Sequence, residues 1–494
     1  LLLAAFLLVC GCSDFEEINV NPNNPPTVPA NLLLPTVIST AVSSMTGSGN
    51  GAAGQFIQHI NYIGGSNESF GRFNITGASF REEWNAPMRS VKDINKILDI
   101  AEKNNQPQYK ALGLICKVYV LSLMTDAYGD IPYNEAGKGD VSGLEFPHYQ
   151  EQKEVYRLML ADLETANQLL KSLKADATIS DDILFNGDAV KWRKYANSLK
   201  VRILMRQSAK KDVSADIAAI FNNAQEYPVF TSIDDQATLV YNNTVDFYKW
   251  YIQPKNLPSD GSGVIFGDNF RVSEAIVDAL QTKDDPRLPV YVAPTKHSFE
   301  AHRANASVPF VYRGQPAGLS EIDKDDYSVL SSTIRSESRA FVMTFAELQF
   351  LKAEAIIRGM ITGNAADEYA KGIRASMQKW AAISSDDVDV YLARPDVALN
   401  TAQNEALKQI GTQAWIDSFL NGFEAFANWR RTGYPELKVG TSVSSAIPVR
   451  YIYSDNEQNN PNLISWTNEK IGRMVNETDM VWFQPQKWNT NVNR

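Results

Sequence analysis

The sequence is poor in the residues that carry most metal and redox chemistry. Its 494 residues include only three cysteines and four histidines. Cys10, Cys12 and Cys116 cannot build a disulfide scaffold, and no CxxC pair marks a zinc or thiol-exchange site. There is no Walker loop and no Gly-x-Ser-x-Gly elbow. No run reaches the roughly 18 apolar residues that a membrane-spanning helix needs. Positive charge is also short: 47 basic against 57 acidic side chains leave a net charge of −10. A surface of that sign repels phosphate backbones, so nucleic acid is not an expected partner.

Two near-misses narrow the chemistry further. Residues 49–54, GNGAAG, match the GxGxxG spacing, but a dinucleotide site needs a strand before it and an acid about 20 residues later. The preceding LLLPTVISTAVSSMT reads as helix and position 74 is Asn, so a flexible helix–helix turn is the expectation. In HSFEAHR, His297 and His302 are five apart. A zinc-protease helix spaces its histidines by four, so a surface loop is expected and no metal. No cofactor is expected, and a structural calcium ion is not predicted. With 57 acidic residues, counting cannot single out a catalytic carboxylate pair. A surface glycoside hydrolase therefore stays open as an alternative, with nothing positive to mark it.

What is present begins at the N-terminus. Leu1 to Val9 is a nine-residue apolar run, long enough for the core of a signal peptide and too short to span a bilayer. It leads into Val9-Cys10-Gly11-Cys12, which resembles a bacterial lipobox. Cys12 is the expected acylated residue and mature N-terminus, because Gly11 lets a peptidase approach the bond. The alternative is a plain secretory signal with accidental cysteines. No initiator Met and no basic segment stand before the run, as though the charged start of a signal peptide were missing. Several acyl chains, at about 0.8 kcal/mol per buried CH₂, make a firm anchor. The expected organisation is a signal peptide over 1–12, an acidic and Pro/Asn-rich tether over 13–30, and a single domain over 31–494.

Helical periodicity dominates that domain, and the helices come in pairs. The ranges are 85–104 with 106–125, 149–171 with 188–207, 344–359 with 364–382, and 401–421 with 423–430. Residues 106–125 (QPQYKALGLICKVYVLSLMT) are apolar nearly all round, the mark of a buried helix holding an inert Cys116. Asp188 is the expected N-cap of its helix. Lys191, Lys194 and Arg202 form a basic face read as solvated, and Glu347, Glu354 and Arg358 are expected to point outward. Four helix hairpins predict a mainly α fold with a tetratricopeptide-like scaffold. Residues 220–340, rich in Pro, Gly, Asn and aromatics, predict a long loop-rich insertion with short strands. Long loops on a rigid scaffold are where binding tends to reside.

Two aromatic clusters are candidate ligand platforms. Residues 241–252, YNNTVDFYKWYI, set Tyr248, Trp250 and Tyr251 beside Asn243. Flat rings stack on sugar C–H faces while amides and carboxylates take the hydroxyls. Phe70 and Trp84, with Phe73 and Phe80, form the second cluster. For both, the competing reading is that the rings simply pack inside.

Six stretches in order resemble the SusD/RagB-like family of Bacteroidetes nutrient-uptake lipoproteins. They are DFEEINVNPNNPPTVPANLLLPT, MTDAYGDIPYNEA, FRVSEAIVDALQTKDDPRLPVY, MTFAELQFLKAEAIIRG, AWIDSFLNGFEAFANWRRTGYPEL and IPVRYIYSDNEQNNPN. Asp14, Glu16 and Glu17 look like the acidic export tag that such lipoproteins carry. The resemblance implies a helical scaffold with a loop-built ligand surface and a non-enzymatic role. It also implies oligosaccharide capture at the outer face of the outer membrane, passed to a SusC-like TonB-dependent transporter. Peptide capture by a RagB-like protein is the alternative, and a pure helical-repeat scaffold is a third reading. Of site residues, only Cys12 carries over from the family. Within these stretches Gly129 reads as a positive-φ helix stop, Asp284-Asp285-Pro286-Arg287 as a turn that pairs acid with Arg, and Arg430/Arg431 as cations suited to a helix C-terminus.

Overall fold

The computed structural model describes residues 28–64, 68–139, 143–174, 176–241, 263–319, 323–380, 382–440, 443 and 446–485. Helix α1, Ala30–Thr46, buries Leu34, Val37, Ile38, Ala41, Val42 and Met45. Those positions step by three and four, so one stripe faces the neighbouring helices.

The first hairpin is α2, Arg81–Lys103, against α3, Pro107–Tyr128. Helix α2 starts one turn before the expected point, so Pro87 lies inside it and packs inward. Glu82 and Glu83 occupy its first turn, where the helix dipole favours acids. Helix α3 has the length and hydropathy of a spanning segment, yet 94% of that window is buried by other parts of the chain. It is a core helix. Burial pushes the Cys116 thiol up to about 12, which makes it inert. Gly129 stops α3 at φ 87°, a backbone region that costs a residue with a Cβ.

The second hairpin is α4, Gln152–Lys171, with α5, Ala189–Arg206. Asp188 caps α5 by accepting from the amides of Val190 at 2.9 Å and Lys191 at 3.0 Å. Helix α6, Ser214–Asn222, and strand β2 follow after α5; β1 is Ile60–Tyr62 and β2 Ala237–Val240. The insertion continues through β3, Phe270–Val272, α7, Glu274–Gln281, and α8, Lys296–Ala304, to β4, Arg339–Met343. Two antiparallel ribbons hold it: β1 with β3, Ile60 opposite Val272, ties it to the N-terminal part of the chain, and β2 with β4, Ala237 opposite Met343, joins its two ends.

The third hairpin is α9, Phe345–Ile357, with α10, Ala365–Gln378. After α11, Ser385–Leu392, the fourth is α12, Gln403–Asp417, with α13, Gly422–Thr432; α14, Pro461–Ile471, comes last. The hairpins stack in chain order through α3 on α4, α5 on α9 and α9 on α12, while α13 reaches back to α3 and α5. This is the tetratricopeptide-like arrangement expected from the pairing.

Arg202, Glu347 and Glu354, expected outside, turn inward, while Arg358 stays exposed. Arg202 Nε donates to Glu347 Oε1 at 2.6 Å, and Arg206 Nη2 donates to Glu424 Oε2 at 2.6 Å. Arg206 also reaches Asp126 at 3.1 Å. Glu354 is held by Arg431 at 2.5 and 2.7 Å. These pairs form an interior seam that takes in Arg202 from the expected solvated face of α5; Lys194 is half-buried against Asp235 at 2.7 Å, and Lys191 stays at the surface, donating to the Asp234 carbonyl at 2.8 Å. The seam runs through α3, α5, α9 and α13. Each charge is buried against its opposite, the condition under which buried charge is tolerated. Arg430 differs from Arg431. It is fully buried, stacks on Phe426 at 3.8 Å, and donates to the Phe426 and Val449 carbonyls.

The GNGAAG stretch, expected as a helix–helix turn, is itself largely helical, with a turn at Ala52. It forms two short helices, Ser48–Gly51 and Ala53–Phe56, packed under α13. A Cβ on Gly422 would stand 2.2 Å from the Gly49 carbonyl oxygen. Two helix ends meet there, backbone on backbone.

Candidate functional site

Where the insertion meets the fourth hairpin the chain leaves a groove of about 810 Å³. This lies within the range of small-ligand clefts. One wall is α7. Ile276, Val277 and Leu280 are fully buried beneath it, so Glu274, Asp278 and Thr282, four apart, line the groove with Ala275 and Ala279 between them. The opposite wall is α12, which lines it with Glu405, Lys408, Gln409 and Thr412.

The floor is fixed by hydrogen bonds. Tyr369, Tyr391 and Trp415 are 2–3% exposed and close the bottom. Burial raises both phenols above their ordinary range, so they stay neutral. Gln413 Nε2 donates to Tyr391 Oη at 3.1 Å, and its Oε1 accepts from Arg287 at 2.6 Å. Trp415 Nε1 donates to the Ile57 carbonyl at 3.0 Å. His59 lies against the Trp415 ring, 4.9 Å between centroids. Burial pulls the His59 imidazole down to about 3, so it is neutral and its Nε2 donates to the Trp415 carbonyl at 3.0 Å.

The Asp-Asp-Pro-Arg turn joins the insertion to this floor. Arg287 donates to Asp285 at 2.9 and 2.6 Å, and to Ser376 Oγ at 3.0 Å, with both side chains fully buried. The acid–arginine pairing expected in that turn is there, and its second role is to tie the insertion to α10 and α12.

The rim is ionic. Lys283 bridges to Asp396 at 3.0 Å, and Arg394 holds the same carboxylate at 3.1 Å. Hydrogen bonds from Arg394 and then Lys283 keep Asp396 down to about 2. Lys408 reaches Glu436 at 3.4 Å. Gln58 Nε2 donates to the Lys438 carbonyl at 2.5 Å and pins the 435–440 loop that forms the third side. Carboxylates, amides, a hydroxyl and lysines around an aromatic floor form a set that hydrogen-bonds a polyhydroxylated chain. A second cavity, of about 50 Å³, is enclosed between α9 and α12 and lined by paired charges such as Lys379 and Asp417. It has room for a few waters and not for a sugar.

Of the residues singled out from sequence, Cys12, Asn243, Tyr248, Trp250 and Tyr251 lie outside the described residues. Phe70 and Trp84 correct the expectation of a second platform: each is 4% exposed. Phe70 packs on Phe56 at 6.2 Å and Phe80 at 5.6 Å, and Trp84 meets Tyr128 edge-on at 5.0 Å. Phe73 and Phe80 are buried with them. These rings spend their faces on one another, so none is left for a ligand. HSFEAHR is helix α8 rather than a loop, and among the described residues no group of three metal-ligating side chains converges. The groove residues were missed. Their available signal was the four-residue spacing of Glu274, Asp278 and Thr282 opposite an apolar stripe.

Residues 22–454 match the SusD-like family described as starch-binding and associating with the outer membrane. The chain belongs to this family. Solved SusD-like structures share its fold along nearly its whole length. A SusD homologue of Bacteroides fragilis has a TM-score of 0.78 at 24% identity, covering 93% of this chain and 100% of its own. A chitin-binding protein has 0.74 at 27%, covering 92% and 100%. A SusD homologue of Bacteroides uniformis has 0.72 at 24%, covering 92% and 99%. No curated protein matches the chain.

Proposed function

We propose that this SusD-like chain is a cell-surface lipoprotein that captures oligosaccharide and delivers it to a SusC-like TonB-dependent transporter. The observation that carries the reading is the groove. Its walls come from two different parts of the chain and offer hydrogen-bonding side chains on opposite sides, above an apolar aromatic floor. The family description as starch-binding and the chitin-binding relative support a glycan as occupant. In this reading binding is the whole task and no bond is broken. Cys12 is the acylated anchor, and residues 13–30 are the tether to the outer leaflet. Tyr248, Trp250, Tyr251 and Asn243 remain proposed contacts at the ligand.

Isothermal titration against soluble starch, N-acetylchitohexaose and an oligopeptide pool tests the reading. Saturable glycan binding, abolished by Asp278→Trp in the groove wall, is the expected result. Peptide binding with no glycan binding would move the assignment to a RagB-like protein, and release of labelled sugar would make it a hydrolase. The partner is tested separately. A pull-down from detergent-solubilised outer membranes recovers a β-barrel transporter in this account.

A further inference from the structure

The insertion carries an aromatic shelf that the groove does not use. Helix α8 and the extended segment 308–313 run side by side. They are clamped where the Thr295 amide donates to the Val311 carbonyl at 2.8 Å, and the Val311 amide donates to Ser298 Oγ at 3.1 Å. On this brace Phe310 is 42% exposed. It does not hang free. Phe299 lies nearly parallel to it, 16° and 6.3 Å away, and Phe266 backs Phe299 at 5.3 Å. Phe266 in turn packs on a small separate core of Val264, Ala293 and Val329.

The polar partner is beside the ring. His302 sits 4.1 Å from Phe310, and its Nδ1 donates to the Val308 carbonyl at 2.7 Å. That bond sets the tautomer: in the neutral imidazole, Nε2 is left as an acceptor. A half-exposed ring held between Phe299 and His302, beside a fixed acceptor and in a segment that also exposes Glu300, Asn305 and Ser307, offers the contact types of a single sugar residue. Its C–H face lies on the ring and one hydroxyl donates to the nitrogen. A protein partner fits less well, because a stable interface needs about 800 Å² on each side. Phe310 and the neighbouring half-exposed Val311 are far short of that. We infer that Phe310 and His302 form a second carbohydrate contact on the insertion, separate from the groove. It would hold a unit of a polymeric glycan by ring stacking. Gln281 at the end of α7 donates to the Tyr312 carbonyl at 3.4 Å, so the shelf is joined to the wall of the groove.

The inference rests on the reading of the chain as a glycan binder, and one experiment separates the two. Native gels cast with soluble starch, glycol chitin, mannan or mixed-linkage β-glucan are run with wild type, Phe310→Ala and His302→Phe. The expected result is retardation of wild type by at least one polymer. Phe310→Ala should weaken apparent affinity by about three- to tenfold, as loss of one stacked ring implies. His302→Phe, which keeps a ring but loses the acceptor, should weaken it less. Unchanged retardation of Phe310→Ala, with a melting curve matching wild type, overturns the shelf and leaves the glycan reading standing. Wild type that runs unretarded through every gel overturns both.

Discussion

Replacing Arg287 tests how the insertion is held to the scaffold. The guanidinium is fully buried and makes four hydrogen bonds, two to Asp285, one to Ser376 and one to Gln413. Arg287→Ala leaves the fully buried Asp285 carboxylate without its cation and strips Gln413 of a donor. Orphaning one member of a buried pair costs about 3–5 kcal/mol, a factor of roughly 10² to several thousand in the folding equilibrium. Removing both charges for apolar groups of similar volume restores most of it, since the desolvation cost disappears with the charges. Urea unfolding followed by tryptophan fluorescence should therefore place Arg287→Ala about 3–5 kcal/mol below wild type. The Asp285→Leu/Arg287→Met double variant should fall within about 2 kcal/mol. Gln413 also positions Tyr391 in the groove floor, so Arg287→Ala should weaken glycan binding even where it stays folded. A loss below about 1 kcal/mol, or a double variant worse than the single, would refute the argument.

Two further perturbations follow from named contacts. Burial, with the neighbouring Glu82 charge adding to it, pushes the Glu83 carboxyl up to about 7 from an ordinary 4.5. The folded state then holds that proton where the unfolded state has lost it. The contribution of this group to stability is full below about pH 4.5 and declines as pH rises through 7. Glu83→Gln should remove this decline and stabilise the chain at pH 8 by about 1–3 kcal/mol relative to wild type, with little difference at pH 4. Gly422→Ala would ordinarily gain about 1 kcal/mol in a helix, but here the added Cβ meets the Gly49 carbonyl at 2.2 Å and the Gly54 amide nitrogen at 2.8 Å. Overpacking of backbone on backbone should win and cost about 1–3 kcal/mol; a stabilised variant would show that the two helix ends are further apart than described.

The four hairpins were legible because each helix writes its own stripe. Trp192, Tyr195, Ala196, Leu199 and Ile203 on α5 step by three and four, and all are buried. Caps and stops were legible for the same local reason, as at Asp188 and Gly129. What stayed hidden depends on partners far away in the chain. Arg202 on a polar face looks solvated until Glu347, 145 residues on, arrives to pair with it. Phe70 and Trp84 were ambiguous because a ring does not reveal what will cover it. The groove arises from apposition of α7 with α12 and the 435–440 loop. No local pattern announces the gap between them.

Hydrogen–deuterium exchange in the presence of N-acetylchitohexaose or maltohexaose tests the central claim most directly, since it asks where the glycan sits. Glycan captured in the groove slows exchange in 274–282, 403–412 and 435–440 together, because one ligand touches all three sides. Protection confined to other segments, or none at saturating sugar, would contradict it.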